Sequence, residues 1–269
     1  MKRFYLFIQY LKNVRIKEYE NIIKKAKEHN YEITSLRDYI ENNYDKSKKL
    51  LILRHDIDHL SLGTRLMFEV EKKHQVKASF YFRNSTFEPQ IMKEIEDYGS
   101  ESSLHFEAIA DFVKANPHIK NKEKLFQSNF KEPCLKILKA NLERFRYLLD
   151  IPCHTIASHG EYENVLVQTA NNYLTEDSDT YAFLGIKLEA YNKDFIERVS
   201  IYISDVPIEI NDGYRYGTNP LLAIENNEKL ILFLTHPNHW HYNKWKQFKK
   251  LVKMIIKKPI RIEEGFKRI

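Results

Sequence analysis

The chain has 269 residues, of which 43% are apolar, 13% aromatic and 30% charged, with a formal net charge of +6. Such a composition fills a sizeable core and covers it with charge, which argues against disordered, collagen-like and membrane-spanning proteins. The length is that of one α/β barrel with small appendages, so we predict a single main domain.

The first fifty residues (1–50) predict a helical extension ahead of that domain. Four apolar residues recur there at helical spacing, which predicts a helix over residues 17–30. They are Tyr19, Ile22, Ile23 and Ala26. A shorter helix is expected over residues 35–42, with Ser35 as its N-cap.

From residue 51 onward, strand patterns alternate with helix patterns up to residue 269. The predicted strands lie in LLILRH, KASFYF, SSLHFE, HTIAS and LILFLTH, with an irregular strand over 181–190. The predicted helices cover residues 61–74, 88–98, 133–149 and 163–172. Strands separated by helices favour parallel pairing with right-handed crossovers. We therefore predict a parallel α/β domain over 51–269 without a further boundary.

The positive charge is concentrated at the C-terminal end. Residues 244–269 carry ten lysines and arginines against two glutamates. Apolar residues from Trp245 to Ile255 recur at steps of three and four between the lysines, which is typical of a last amphipathic helix with a solvated basic face. Contact of this face with nucleic acid or anionic lipid stays an alternative. Nucleic acid is not expected as a partner, because no nucleic-acid motif is present.

Nothing in the sequence predicts secretion or membrane insertion. Gln9, Lys12 and Arg15 interrupt the apolar opening of the chain, and no small-residue cleavage site follows. No apolar stretch reaches the roughly 18 residues of a membrane span. Cys134 and Cys153 are too few for a disulfide framework and lack the spacing of a zinc knuckle. We therefore expect a cytoplasmic protein with two reduced thiols.

Four predicted strands end in side chains suited to metal or proton chemistry. These side chains are Asp56 and Asp58, His105, His159 and His236. In a parallel barrel the C-terminal strand ends converge on one face, so we expect these residues to meet there. A lone histidine at a strand end is usually structural, and the two aspartates could simply cap the next helix. Four such ends together favour a functional site.

These residue types supply the parts of a metal-dependent hydrolase. An aspartate with two histidines is a ligand set that holds a catalytic Zn²⁺ and leaves a position for water. The ion brings the pKa of that water toward neutrality. A second carboxylate can take the water proton, and a further histidine can protonate a leaving amine. We therefore predict a bound divalent metal, zinc foremost.

In order and spacing, the motifs resemble those of the polysaccharide deacetylase family, carbohydrate esterase family four. RHDID is similar to the first family motif in its HDVD variant, ASFYFR to the following strand, SESSLHFE to the EIGxH segment and LTHPNHW to the late LTHP motif. The resemblance covers about residues 51–240. It implies a distorted, incomplete (β/α) barrel that removes an acyl group, N-acetyl foremost, from a sugar or a sugar-containing precursor of a surface polysaccharide.

The resemblance also implies catalytic roles. Asp56 corresponds to the general base and His236 to the general acid. In the family the metal-binding aspartate follows the base directly, where this chain has Ile57, so we transfer that role to Asp58.

The metal histidines follow the family only in part. His105 corresponds to the first of them, whereas the second falls on Ile109. His159 is the candidate replacement. If His159 does not reach the metal, the alternative is a catalytically degenerate relative of the same fold that binds sugar, or acts as a scaffold, without metal.

Three further residues are candidates for substrate binding. Arg54 and Arg83 flank the strand ends, where they could bind an anionic group of a small-molecule or oligosaccharide substrate or pair with nearby acids. Trp240 could line a wall on which a sugar stacks, or it could pack beneath the last helix.

Overall fold

Strands and helices alternate along the chain, as the sequence patterns predict. The computed structural model describes residues 15–42, 44, 47–207, 213–215 and 219–241. The strands are β1 (Tyr31–Thr34), β2 (Lys49–Ile57), β3 (Ser79–Phe82), β4 (Glu101–Phe106), β5 (Thr155–Ser158), β6 (Leu188–Glu189), β7 (Ile201–Asp205), β8 (Tyr214–Arg215) and β9 (Leu230–Thr235). The helices are α1 (Arg15–Glu28), α2 (Leu36–Glu41), α3 (Leu62–His74), α4 (Pro89–Tyr98), α5 (Ala108–Ala115), α6 (Lys122–Gln127), α7 (Lys131–Leu149), α8 (Tyr162–Leu166), α9 (Ser178–Leu184), α10 (Lys193–Ile196) and α11 (Pro220–Glu225). None of the helices in these ranges is long and apolar enough to cross a membrane.

The strands form one curled sheet in which most neighbours are parallel. Its order is β6, β5, β4, β3, β2, β9, β7 and β8. On one side of β2, β1 bonds to the first half and β3 to the second half, and β9 runs along the other side. The β7–β8 pairing is antiparallel. Because none of the described pairings joins β6 to β8, the sheet is a half-barrel, which is compatible with an incomplete (β/α) barrel.

The N-terminal segment differs from the predicted purely helical extension. α1 and α2 lie close to their predicted positions, but β1 between them pairs in parallel with β2, with Tyr31 opposite Lys49 and Thr34 opposite Ile52. The four-residue YEIT segment is too short to show a strand period between two helical patterns. Residues 15–50 therefore extend the sheet instead of standing apart from it.

Two other segments also differ from their predictions. The irregular strand predicted over 181–190 is α9 followed by the two-residue β6. Local capping favours a helix over a strand in this segment. The Asp177 side chain accepts a hydrogen bond from the Asp179 N–H at the N-terminus, and Gly185 ends the helix with a φ of 63°. The helix predicted over 163–172 is shorter, since α8 ends at Leu166. The basic helix predicted after residue 244 lies outside the described residues.

Alternate residues of each strand face the interior of the half-barrel or the surrounding helices. On β2, Leu51 and Leu53 belong to the core beneath the helices, whereas Leu50 and Ile52 belong to the interior cluster. The next interior position is Arg54, followed by Asp56. Because side chains alternate between the two faces of a strand, Leu50, Ile52, Arg54 and Asp56 share the interior face of β2. This face is apolar in the first half of the strand and charged in the second half.

Gly63 allows α3 to lie against the loop that follows β9. A Cβ at this position would lie 2.1 Å from the Pro237 carbonyl oxygen, and a backbone atom cannot turn aside as a side chain can. We expect Gly63→Ala to lower the free energy of unfolding by about 1–3 kcal/mol. Gly160→Ala is the control, since nothing lies within 4 Å of its added Cβ. Urea denaturation compares the two variants, and equal stabilities would contradict the tight packing of this loop.

Candidate metal centre

The ends of β2, β4 and β5 bring Asp58, His105 and His159 together. Their candidate ligand atoms all lie within 4.8 Å of one another. The Nε2 atoms of His105 and His159 each lie 3.4 Å from Asp58 Oδ1. That oxygen is buried and has no hydrogen-bond partner among the described residues. A bound cation would satisfy it, so these three side chains fit a metal ion.

Two other groups of acids and histidines lie near this cluster but fit a metal less well, and one of them shares His159 with it. Asp205 with His236 and His239 is one group, and Glu107 and Glu161 with His159 is the other. The carboxylate of Asp205 already accepts three hydrogen bonds, and Arg83 binds both glutamates. Asp58 therefore supplies the carboxylate oxygen best placed to take a cation.

The hydrogen bonding of His105 fixes which of its nitrogens faces the cluster. Nδ1 lies 3.0 Å from the carbonyl oxygen of Ala157. A carbonyl only accepts, so Nδ1 donates to it and Nε2 is the nitrogen that faces Asp58. A metal-binding histidine is commonly held in this way by a second group. The His105 and His159 rings meet edge to face, with centroids 4.9 Å apart.

Two carboxylates lie behind His159 within ion-pair distance of its Nδ1, which makes no hydrogen bond among the described residues. Its Nδ1 lies 3.3 Å from Glu107 Oε2 and 3.6 Å from Glu161 Oε1, which leaves Nε2 facing Asp58. Arg83 binds both glutamates, at 2.6 Å in the case of Glu107. Burial acts to raise the pKa of Glu107, but His159 and Arg83 outweigh it and lower that pKa to about 2. Arg83 thus pairs with acids of the site, which was the alternative to substrate binding.

Glu107 should therefore tune the metal affinity of His159. We expect Glu107→Gln to weaken zinc binding by about 10–100-fold, because the neutral amide holds the imidazole less firmly and lowers its basicity. Glu94→Gln is the control, since Glu94 pairs with Arg65 on the surface at a similar distance of 2.7 Å. Competition with a coloured chelator measures both affinities. Equal affinities for Glu107→Gln and wild type would contradict the role of Glu107.

Asp56 lies beside the cluster and is held by Arg54. The guanidinium donates from Nε to Oδ1 and from an NH2 group to Oδ2, both at 2.8 Å. Burial acts to raise the pKa of Asp56, but Arg54 outweighs it and keeps that pKa below its usual range. Asp56 Oδ2 also lies 3.4 Å from His105 Nε2. An ionised carboxylate of fixed direction therefore adjoins the candidate ligands.

Arg54 likewise pairs with an acid of the site, which was the alternative to substrate binding. The side chain has no exposed surface, and its guanidinium lies 4.2 Å from the Tyr191 ring centroid. Two of its nitrogens donate to Asp56, and the buried NH1 group has no hydrogen-bond partner among the described residues. Substrate binding by Arg54 stays a prediction.

His236 reaches the cluster from β9 and is held by Asp205 at the end of β7. Its Nδ1–H donates to Asp205 Oδ1 at 2.6 Å, and its backbone N–H donates to Oδ2 at 2.9 Å. Nε2 then faces Asp58, whose Oδ2 is 3.7 Å away. Burial acts to lower the pKa of His236, but the Asp205 carboxylate outweighs it and raises that pKa to about 9. His236 is therefore a protonated imidazole beside the cluster.

The prediction that Trp240 forms a sugar-stacking wall is wrong. Its side chain is only 1% exposed, and its ring packs edge to face on Tyr19 and Phe233. The indole N–H donates to Asp205 Oδ2 at 2.5 Å. Trp240 thus packs in the core next to Asp205, in agreement with the alternative of a packing role.

Glu189 lies in the barrel interior beneath the site and holds the turn before His159. It accepts the backbone N–H groups of Ser158 and Tyr191 at 3.0 and 2.8 Å. Burial raises the pKa of Glu189 to about 7, against the opposing effect of Arg54. The folded protein therefore keeps this proton up to about pH 7, whereas the unfolded chain releases it near pH 4.5.

The contribution of Glu189 to the free energy of unfolding should accordingly decrease as the pH rises from about 4.5 to about 7. Glu189→Gln cannot ionise, so we expect its free energy of unfolding to decline less over this range, whatever its absolute value. Urea denaturation at several pH values measures the slope. A variant with the same slope as wild type would contradict the raised pKa.

Three residues of the site, Asp205, Glu107 and Glu161, were missed by the sequence patterns. Asp205 follows IYIS, a run of β-branched and aromatic residues typical of a strand, and the strand-end criterion would have selected it. Glu107 lies two residues after His105, on the same face of the extended chain.

The chain matches no family model, and no curated protein matches it. Membership of the polysaccharide deacetylase family therefore stays a prediction from motifs.

Proposed function

We propose that the protein is a metal-dependent hydrolase that removes an acyl group, N-acetyl foremost, from a sugar or a sugar-containing precursor of a surface polysaccharide. The observation that carries the proposal is that Asp56, bound by Arg54, and His236, bound by Asp205, both lie beside one Asp58–His105–His159 cluster. Amide hydrolysis needs both a base for water and an acid for the departing amine. The motifs that resemble polysaccharide deacetylases support a sugar as the substrate.

Asp58, His105 and His159 would hold the metal, zinc foremost. The chemistry it would supply there is that of a Lewis acid, which polarises an acyl carbonyl and lowers the pKa of water. The donor set supports this assignment, since the Nε2 atoms of two imidazoles and a carboxylate oxygen without a hydrogen bond converge. The alternative of a metal-free sugar-binding relative leaves that buried oxygen without a partner.

Asp56 and His236 would share the proton transfers. Asp56 accepts the proton of the attacking water, and Arg54 keeps its carboxylate ionised and correctly directed. His236 donates a proton from Nε2 to the leaving nitrogen, while Asp205 holds Nδ1 and stabilises the imidazolium. Each positioned acid or base contributes about 10²–10⁴-fold in rate.

The test measures acetate release by the full chain with zinc restored. The probes are 4-nitrophenyl acetate and chitin oligosaccharides with N-acetyl groups. We expect release that a chelator abolishes and zinc restores, and Asp56→Asn should retain zinc and lose about 10²–10⁴-fold in rate. Bound zinc without acetate release from any probe would overturn the hydrolase proposal. Absence of zinc binding would favour the metal-free relative.

A further inference from the structure

One face of α1 lies against the elements that carry the proposed acid. Arg15, Glu18 and Tyr19 are spaced by three and four residues, so they share that face. Glu18 accepts a 2.6 Å hydrogen bond from the hydroxyl of Tyr214 in β8. Tyr19 packs on Trp240 with ring centroids 5.7 Å apart. The N-terminal helix therefore contacts both the β7–β8 hairpin and the loop after β9.

Arg15 binds that hairpin and that loop together. Its guanidinium donates to the carbonyl oxygens of Val206 at 3.1 Å, Gly213 at 3.4 Å and His239 at 3.4 Å. The side chain is buried, and its guanidinium carbon lies 4.3 Å from the centre of the Trp240 ring. A planar group with several fixed donors suits this combination of carbonyl bonding and ring stacking, which a lysine cannot reproduce.

The chain also leaves room for Arg15 at Gly213. A Cβ there would lie 2.5 Å from an Arg15 terminal nitrogen, and the residue has a φ of +96° that favours glycine. The missing side chain of Gly213 thus leaves the space that the Arg15 guanidinium occupies.

The contacts continue from Arg15 to the imidazole of His236. Arg15 and Tyr19 hold the Trp240 ring from α1. The Trp240 indole N–H donates to Asp205, and Asp205 accepts the Nδ1–H of His236. Without the indole donor, the fully buried carboxylate of Asp205 loses one of its three hydrogen bonds and is freer to turn.

We propose that Arg15 and Trp240 are positioning residues for the proposed general acid, so that the N-terminal helix is part of the apparatus that directs His236. The inference rests on the proposed hydrolase function. It assigns to α1 an effect on proton donation to the leaving group, in addition to its packing in the fold.

The test compares two aryl esters with the zinc-loaded full chain. Phenolate leaves with help from a proton donor, whereas 4-nitrophenolate needs little help. We expect Arg15→Lys and Trp240→Phe to slow phenyl acetate hydrolysis by about 10–100-fold, as a displaced acid would. The loss with 4-nitrophenyl acetate should be smaller, at full zinc content. Equal losses for the two esters would overturn the inference.

Arg146→Lys is the matched control. Arg146 also donates to backbone carbonyls, those of Pro152, Leu184, Cys153 and Gly185, but in a part of the fold that does not contact His236. Its replacement should lower the thermal stability and leave the ratio of the two ester rates as in wild type. A changed ratio in Arg146→Lys would show that the ratio reports general loosening, and would overturn the inference.

A second readout keeps the inference separate from the hydrolase proposal. If wild type binds zinc and releases acetate from neither the two esters nor the chitin oligosaccharides, the hydrolase proposal fails. The Nδ1–H proton of His236 can still be followed by NMR of isotope-labelled histidine, with assignment by its loss in His236→Gln. We expect Arg15→Lys and Trp240→Phe to shift this resonance or speed its exchange with water, and Arg146→Lys to leave it in place. An unchanged resonance in all three variants would overturn the positioning role.

Discussion

Asp58→Ala is expected to weaken zinc binding by more than about 100-fold. This loss exceeds the one expected for Glu107→Gln, because Asp58 is itself a candidate ligand whereas Glu107 only supports one. Asp58 contributes the one oxygen that faces both candidate imidazoles, at 3.4 Å from each. Burial acts to raise the pKa of Asp58, but the imidazoles of His105, His236 and His159 outweigh it and hold that pKa well below its usual range. The carboxylate is therefore ionised and available at any ordinary pH. Metal analysis after dialysis, with circular dichroism to verify folding, measures the effect.

Asp56→Asn is the matched control for this experiment. Asp56 is also a buried aspartate at the end of β2, but Arg54 binds both of its oxygens. We expect Asp56→Asn to keep its zinc while Asp58→Ala, His105→Ala and His159→Ala lose theirs. Retention of zinc by His159→Ala alone would mean that the third ligand comes from elsewhere. Retention by a folded Asp58→Ala would remove the basis of the proposed site.

The convergence of strand ends could be predicted from the sequence because it follows from topology. Asp58, His105, His159 and His236 each follow a short apolar run, and parallel pairing brings such ends to one edge. The structure places these four side chains together. The α/β class with mostly parallel strands was likewise predictable from the alternation of periods.

Side-chain direction within that edge could not be predicted. Arg54 and Asp56 lie on the same face of β2, and only the packing shows that the arginine pairs with the aspartate. Trp240 is four positions after His236, yet its ring is buried. Arg15 and Tyr19 of α1, which are more than 200 positions earlier in the chain, pack against this ring. Contacts between residues so far apart in sequence leave no local pattern.

The departure from the family motif at Ile109 has a physical explanation in this fold. Ile109 is fully buried among the apolar residues beneath the helices, and its backbone N–H donates to the Asn171 side chain at 2.8 Å. A histidine there would place a polar ring in the core instead of offering a ligand to the site. His159 at the end of β5 stays the candidate for the missing ligand, and Glu107, Glu161 and Arg83 lie behind it.

His236→Gln is expected to slow the hydrolysis of amides by about 10²–10⁴-fold and to affect 4-nitrophenyl acetate much less, because it removes the proton donor for the leaving group. Zinc content should stay at the wild-type level, since Asp58, His105 and His159 are intact. Equal losses on both substrates would contradict the assignment of His236 as the acid.

The same substitution should also destabilise the protein, because Asp205 is fully buried and loses its cationic partner. Removal of one member of a buried ion pair typically costs about 3–5 kcal/mol. Asp205→Asn in the His236→Gln background removes the unpaired charge, so we expect the double variant to be more stable than His236→Gln alone. Urea denaturation of the two single variants and the double variant gives the coupling energy directly. A coupling near zero would mean that Asp205 is stabilised by Trp240 and the backbone without help from His236, and that the imidazole is not held in its charged form by this carboxylate.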